Sequence, residues 1–130
     1  MFFLKSCQLS FIVLLMTCAV AKAKMTEADS ISPKQASVMH AEQKAVIVDF
    51  REDSEWNEQH IPGAIQIPLA QSNGRISELK QYKDTPVITQ CKAGGRSAKA
   101  LEVLKSVGFT KVYNMDGGIM AWDKAGLKTE

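Results

Sequence analysis

Pro86-Val87-Ile88-Thr89-Gln90-Cys91-Lys92-Ala93-Gly94-Gly95-Arg96-Ser97-Ala98-Lys99-Ala100-Leu101-Glu102-Val103-Leu104 is the stretch that decides the fold. Its first five residues are a short, largely β-branched run with the composition of a buried strand. Ser97 to Leu104 carries an apolar face at helical spacing. Cys91 therefore lies where a strand ends and a helix begins, on a loop with two consecutive glycines. Backbone N–H groups at a helix start have no intrahelical partner, and the helix dipole favours negative charge there. A thiol in that position moves towards thiolate, from about 8.5 down to as low as roughly 3.5–7.5. The glycines let the loop curl so that several N–H groups converge. Lys92 and Arg96 add fixed positive charge. The stretch reads as a nucleophile inside an anion cradle.

Outward from this loop the chain alternates between short strands and helices, punctuated by turn residues. Towards the N-terminus, Ala45-Val46-Ile47-Val48-Asp49 and Ala64-Ile65-Gln66-Ile67 read as strands, the second bounded by Pro62-Gly63 and Pro68. Ser32-Pro33 starts a helix to about Glu42, with serine as cap and proline at the first helical position. Asp53 to Glu58 reads as a short helix, and Ile76 to Lys80 as helical. Towards the C-terminus, the helix from Ser97 runs to Val107 and ends at Gly108. Lys111-Val112-Tyr113-Asn114 is a fourth strand. Gly117-Gly118 turns the chain into a last helix with Met120, Ala121 and Trp122. Lys24 to Ile31 reads as polar and loose. The alternation predicts an α/β domain with a mostly parallel central sheet and helices on both faces. Ligands in such sheets bind at the carboxyl ends of the strands, where Cys91 lies.

The 130 residues suit one domain. The N-terminus has the pattern of a secretory signal peptide: Lys5, the uncharged stretch around Phe11-Ile12-Val13-Leu14-Leu15-Met16, and the small-x-small site Ala21-Lys22-Ala23. The expected organisation is a signal at 1–23 and one domain at 24–130, with a periplasmic or secreted destination. The apolar stretch is shorter than the ~20 residues of a membrane-spanning helix, so no stable span is expected after processing. Lipid attachment at Cys18, in Leu15-Met16-Thr17-Cys18, and an uncleaved anchor are the competing readings. Lys5 and Lys22 leave with the signal, which brings the 16 basic residues to parity with the 14 acidic ones. Nothing in that balance, nor any basic patch, points to nucleic acid. Cys7 and Cys18 also leave, so Cys91 is alone and forms no intramolecular disulfide. A lone thiol in an oxidising compartment, beside glycines and cations, is a used one. His40 and His60 cluster neither with cysteine nor with paired carboxylates, and no metal site is expected. Glu52, Asp53, Glu55 and Glu58 read as a solvated helix face. Trp56 and Trp122 read as packing residues, and His60-Ile61-Pro62-Gly63-Ala64 as a turn into a strand.

Three stretches together resemble the rhodanese family. They are Val48-Asp49-Phe50-Arg51-Glu52 leading through Trp56 to His60-Ile61-Pro62-Gly63-Ala64-Ile65-Gln66-Ile67-Pro68; the Cys91 to Ser97 loop; and Asn114-Met115-Asp116-Gly117-Gly118-Ile119-Met120-Ala121-Trp122. The resemblance runs from about Ser32 onward and is to the secreted, single-domain, phage-shock-protein E-like type. One departure is Gln59, which stands where the family's Gly-His-Ile-Pro-Gly pattern has its first glycine.

The resemblance implies a rhodanese-like three-layer fold and a thiosulfate sulfurtransferase. Cys91 would be the catalytic residue, taking a sulfane sulfur as a persulfide and handing it to a thiophilic acceptor, a small thiol or a protein. Lys92, Ala93, Gly94, Gly95 and Arg96 would bind the donor; Asp49, Arg51 and Ser97 would support the loops. No organic cofactor is implied. Thiosulfate is a dianion that Lys92, Arg96 and the loop amides can hold. Cysteine-based phosphatases and arsenate reductases share this logic. Those of related fold have one more residue in the loop than the four that separate Cys91 from Arg96 here. A non-catalytic rhodanese-like binding module is the other alternative, and such modules usually have the cysteine replaced.

Overall fold

The computed structural model describes residues 27–130. The expected signal segment 1–23 with its expected cleavage site, Cys7 and Cys18 lie outside the described residues. Five strands form one sheet: β1 (Ser30–Ile31), β2 (Val46–Asp49), β3 (Ile65–Gln66), β4 (Val87–Gln90) and β5 (Val112–Met115). Four α-helices lie between them, α1 (Pro33–Ala41), α2 (Asp53–Glu58), α3 (Ser72–Arg75) and α4 (Gly95–Ser106), and α5 (Gly118–Lys124) follows β5. The strand order is β1-β5-β4-β2-β3, and every neighbouring pair is parallel.

Period-2 alternation distributes the strand residues between two cores. Ile47, Ile88 and Met115 face one side, with Ala36 of α1 and Ile119 and Trp122 of α5. Val48, Val87 and Val112 face the other, with Ala100, Leu101 and Leu104 of α4 and Leu79 of the 3₁₀ segment Ile76–Tyr82. Both faces of the sheet are thus covered, as an all-parallel sheet requires. Leu101 and Leu104 are fully buried, and each contributes on the order of 1.5–3 kcal/mol of burial. β4 and β2 lie inside the sheet, so β4 delivers Cys91 to its covered centre.

The helix start at Ser32 forms as its residues dictate. The Ser32 hydroxyl accepts from the Gln35 N–H at 3.1 Å, and the Gln35 side chain accepts from the Ser32 N–H at 3.3 Å, a reciprocal cap. Two elements depart from the sequence reading. Ser30–Ile31, expected to be loose, pairs with β5, because Ile31 is buried against the core beside Met115. Ser72–Arg75 adds a short helical turn, while Ile76–Tyr82, read as helical, winds as 3₁₀. Among the described residues no helix is long and apolar enough to cross a membrane.

Candidate active site

Cys91 follows the last residue of β4, and α4 begins four residues later. The turn between them depends on Gly94, whose φ of +110° is denied to most side chains. That conformation brings the Gly94 N–H to 3.1 Å from Cys91 Sγ. The Ser97 hydroxyl, one turn into α4, lies 3.3 Å from the same sulfur and 3.2 Å from the Gly94 carbonyl. It has one proton, so it donates to one of them at a time. Burial alone pushes the Cys91 thiol up. The Ser97 hydroxyl and the backbone N–H groups of Ser97, Gly94 and Ala93 together outweigh it, and the thiol lies below its ordinary range. The largest favouring contributions come from hydrogen-bond donors of the loop and of the start of α4.

The loop is held from outside by the neighbouring strand and helix. Thr89 and Asn114 stand opposite each other on β4 and β5, on the side covered by α4. The Thr89 hydroxyl lies 3.3 Å from Asn114 Oδ1, which leaves the Asn114 amide to donate to the Gly94 carbonyl at 3.1 Å. With its carbonyl so fixed, Gly94 keeps its N–H towards sulfur. On the other side α5 presents two N–H groups: Ile119 donates to the Cys91 carbonyl at 2.8 Å and Met120 to the Lys92 carbonyl at 3.2 Å. The fully buried Gln90 side chain also donates to the Cys91 carbonyl, at 2.9 Å. A Cβ on Gly118 would meet the Cys91 and Lys92 carbonyl oxygens at 2.4 Å each. Only glycine allows α5 so close.

The charged residues are paired in a way the sequence did not announce. Arg51 is buried and forks onto Asp49, with Nε at 3.0 Å from Oδ1 and Nη2 at 2.8 Å from Oδ2. Its Nη2 also donates to the Gln59 carbonyl at 2.8 Å. The pair fastens the end of β2 to the C-terminal end of α2. Arg96 makes a bidentate pair with Glu55: Nη1 to Oε1 at 2.6 Å and Nη2 to Oε2 at 2.9 Å. The Glu55 carboxyl is pulled down to about 2, chiefly by this hydrogen-bonded contact with Arg96. Glu55 is therefore not part of a solvated face. Lys92 is exposed and makes no ion pair among the described residues. It lines a cleft of about 120 Å³ with Glu55, Glu58, Gln59, Met120 and Asp123. Gly95 has no need of being glycine: its φ is negative and a Cβ there meets open space.

The loop residues Cys91 to Ser97 thus form one constellation, with Asp49 and Arg51 bracing α2 beside it. Asn114 and Glu55 were not read from the sequence as site residues, whereas the resemblance already placed Gly117-Gly118, the start of α5, near the loop. An amide inside an otherwise apolar strand was the available signal for Asn114. Trp56 stacks on His60, with ring centroids 3.8 Å apart and planes at 6°. Among the described residues no group of three potential ligands could hold a metal.

A buried cysteine at the end of the central strand of a parallel sheet, cradled by amides at a helix start, defines the class. The rhodanese-like domain family matches residues 32–125, and the chain belongs to that family. Relatives include an uncharacterised protein of Synechocystis, slr1261, 33% identical over 77% of this chain and 55% of its own length. The thiosulfate sulfurtransferase GlpE of Pseudomonas savastanoi pv. phaseolicola is 35% identical over 75% of this chain and 90% of its own. The match spans from 26% to 61% of the length of several other curated relatives. A crystal structure of a rhodanese-related protein from Thermoplasma volcanium superposes with a TM-score of 0.71 at 26% identity, covering 78% of this chain and 96% of that one.

Proposed function

We propose that this protein is a thiosulfate-type sulfurtransferase that works through a persulfide on Cys91. The observation that carries the reading is the sulfur itself, buried and facing hydrogen-bond donors from Gly94 and Ser97 at 3.1 and 3.3 Å. The Cys91 thiolate attacks the outer sulfur of thiosulfate. A bond forms between Sγ and that sulfur, the bond to the sulfonate sulfur breaks, and sulfite leaves with the electron pair. Charge balances: a monoanion and a dianion give a persulfide anion and a dianion. The loop amides stabilise the persulfide anion as oxyanion-hole donors would. A thiophilic nucleophile then attacks the outer sulfur, and Cys91 departs as thiolate. The four-residue spacing from Cys91 to Arg96 favours sulfur over phosphate. Export, with cleavage near Ala23, belongs to the same proposal and rests on residues 1–23; N-terminal sequencing of the protein from its host tests it.

The experiment is intact-mass measurement after incubation with thiosulfate. The wild type gains the mass of one sulfur atom and resists alkylation by iodoacetamide. Cys91→Ser gains nothing and turns over nothing, while its fold stays unchanged. Sulfur transfer by the serine variant, or faster turnover of an aryl phosphate by the wild type, would overturn the proposal.

A further inference from the structure

We propose that Glu55 sets the charge of the sulfur donor this site accepts: by closing a bidentate pair on Arg96, it withdraws the loop's arginine from the donor and favours donors with one negative charge over the dianion. The inference rests on the sulfurtransferase reading and names a preference within it.

Arg96 is the residue that the loop sequence offers for an anionic donor. In the structure both of its terminal nitrogens face Glu55, at 2.6 and 2.9 Å, and the pair is partly buried, with side chains 33% and 27% exposed. Bidentate, charge-assisted contacts of this kind are strong and directional. The sulfonate of a donor would have to displace Glu55 or make do with the remaining N–H groups. The other arginine nearby, Arg51, is spent on Asp49. Lys92 remains, and the cleft it lines also carries the carboxylates of Glu58 and Asp123. Around the thiolate, then, the loop amides supply dipoles while the side-chain charges largely cancel. Dipoles suit a single negative charge; a second one meets Glu55. Arg96 lies close enough to feel the thiolate electrostatically, so the charge state of its partner is felt at the reacting sulfur.

Glu55→Gln tests this cleanly. Glutamine keeps an oxygen for the Glu52 N–H that the Glu55 Oε1 accepts at 3.3 Å, so the start of α2 is retained. It removes one negative charge and frees the guanidinium. Two donors are compared on the same preparation: thiosulfate, a dianion, and methanethiosulfonate, a monoanion, with one common acceptor. The expected result is a rise in the thiosulfate-to-methanethiosulfonate ratio of kcat/KM on the order of 3- to 10-fold, carried by KM for thiosulfate. Because the readout is a ratio within one protein, partial loss of folded enzyme does not mimic it. Arg96→Ala in the Glu55→Gln background should abolish the gain. An unchanged or lowered ratio in Glu55→Gln would overturn the inference and leave the sulfurtransferase reading standing. Failure of both donors to load Cys91 in the wild type would overturn that reading itself.

Discussion

The chain contains the same dipeptide twice, at the carboxyl ends of neighbouring parallel strands. Gly94-Gly95 follows β4, Gly117-Gly118 follows β5, and each opens a helix. The first pair is spacious. A Cβ at Gly94 would find its nearest neighbour at 3.8 Å, and one at Gly95 would find nothing within 4 Å. Only the φ of Gly94 is demanding. The second pair is a wedge. A Cβ at Gly117 would meet that of Ala121 at 2.6 Å, and one at Gly118 would strike the backbone of Cys91 and Lys92. One pair shapes a cradle; the other lets a second helix press against the outside of that cradle and hold it shut. Identical residues at equivalent positions thus do different physical work, decided by what lies across from them.

Substitution by alanine separates the two. The largest effect is expected at Gly118→Ala, which combines backbone overlap with a φ of +59°. Overpacking against backbone and left-handed strain together should cost about 3 kcal/mol or more. For a domain of this size that lowers Tm by at least roughly 10 °C. Thermal unfolding monitored by circular dichroism reads it, and a Tm within a degree or two of wild type would break the wedge description.

An intermediate effect is expected at Gly94→Ala. No overlap arises, and the cost is the φ alone, on the order of 1–2 kcal/mol. The sharper readout is chemical. If the loop relaxes, the Gly94 N–H leaves the sulfur, the thiol pKa rises, and iodoacetamide alkylation of Cys91 shifts to higher pH. A lowered Tm with an unshifted alkylation profile would mean that Gly94 serves the fold and not the thiolate.

The smallest effect belongs to Gly95→Ala. Its φ suits any residue, so alanine should leave stability equal or raise it by about 0.4–1 kcal/mol, with sulfur transfer within roughly twofold of wild type. Loss of stability measured by urea unfolding would show that both glycines of the first pair are required, and the contrast between the two pairs would narrow.

That contrast also marks what could be read from the chain. Cys91 at a strand-to-helix junction was legible, because a β-branched run, Val87 to Thr89, precedes it and apolar residues at helical spacing, from Ser97 to Leu104, follow it. Strands β2, β3, β4 and β5 were legible for the same reason. β1 was not: two residues hold no period, and only burial of Ile31 against β5 makes Ser30–Ile31 a strand. The sequence reading gave Gly94 and Gly95 equal weight, since nothing local tells a glycine needed for its φ from one that is merely tolerated. The Glu55–Arg96 pair spans 41 positions and exists only because α2 packs beside the start of α4. The opposed placement of Thr89 and Asn114 likewise follows from strand register, which no short-range pattern encodes.

The docking of α5 onto the Cys91 and Lys92 carbonyls has a consequence for when the protein becomes reactive. The donors facing the sulfur come from residues 93 to 97, but the groups that lock the loop come from Asn114, Ile119 and Met120. These lie on the last strand and the last helix of the sheet. A growing chain that has reached Arg96 already contains the thiol and every one of its cations, yet lacks the strand and helix that fasten the loop. Until both arrive, the Gly94 carbonyl lacks its Asn114 donor and the Cys91 and Lys92 carbonyls lack the α5 N–H groups. The lowered thiol pKa is thus expected to be a property of the completed domain, since the groups that hold its donors in place are the last to be made.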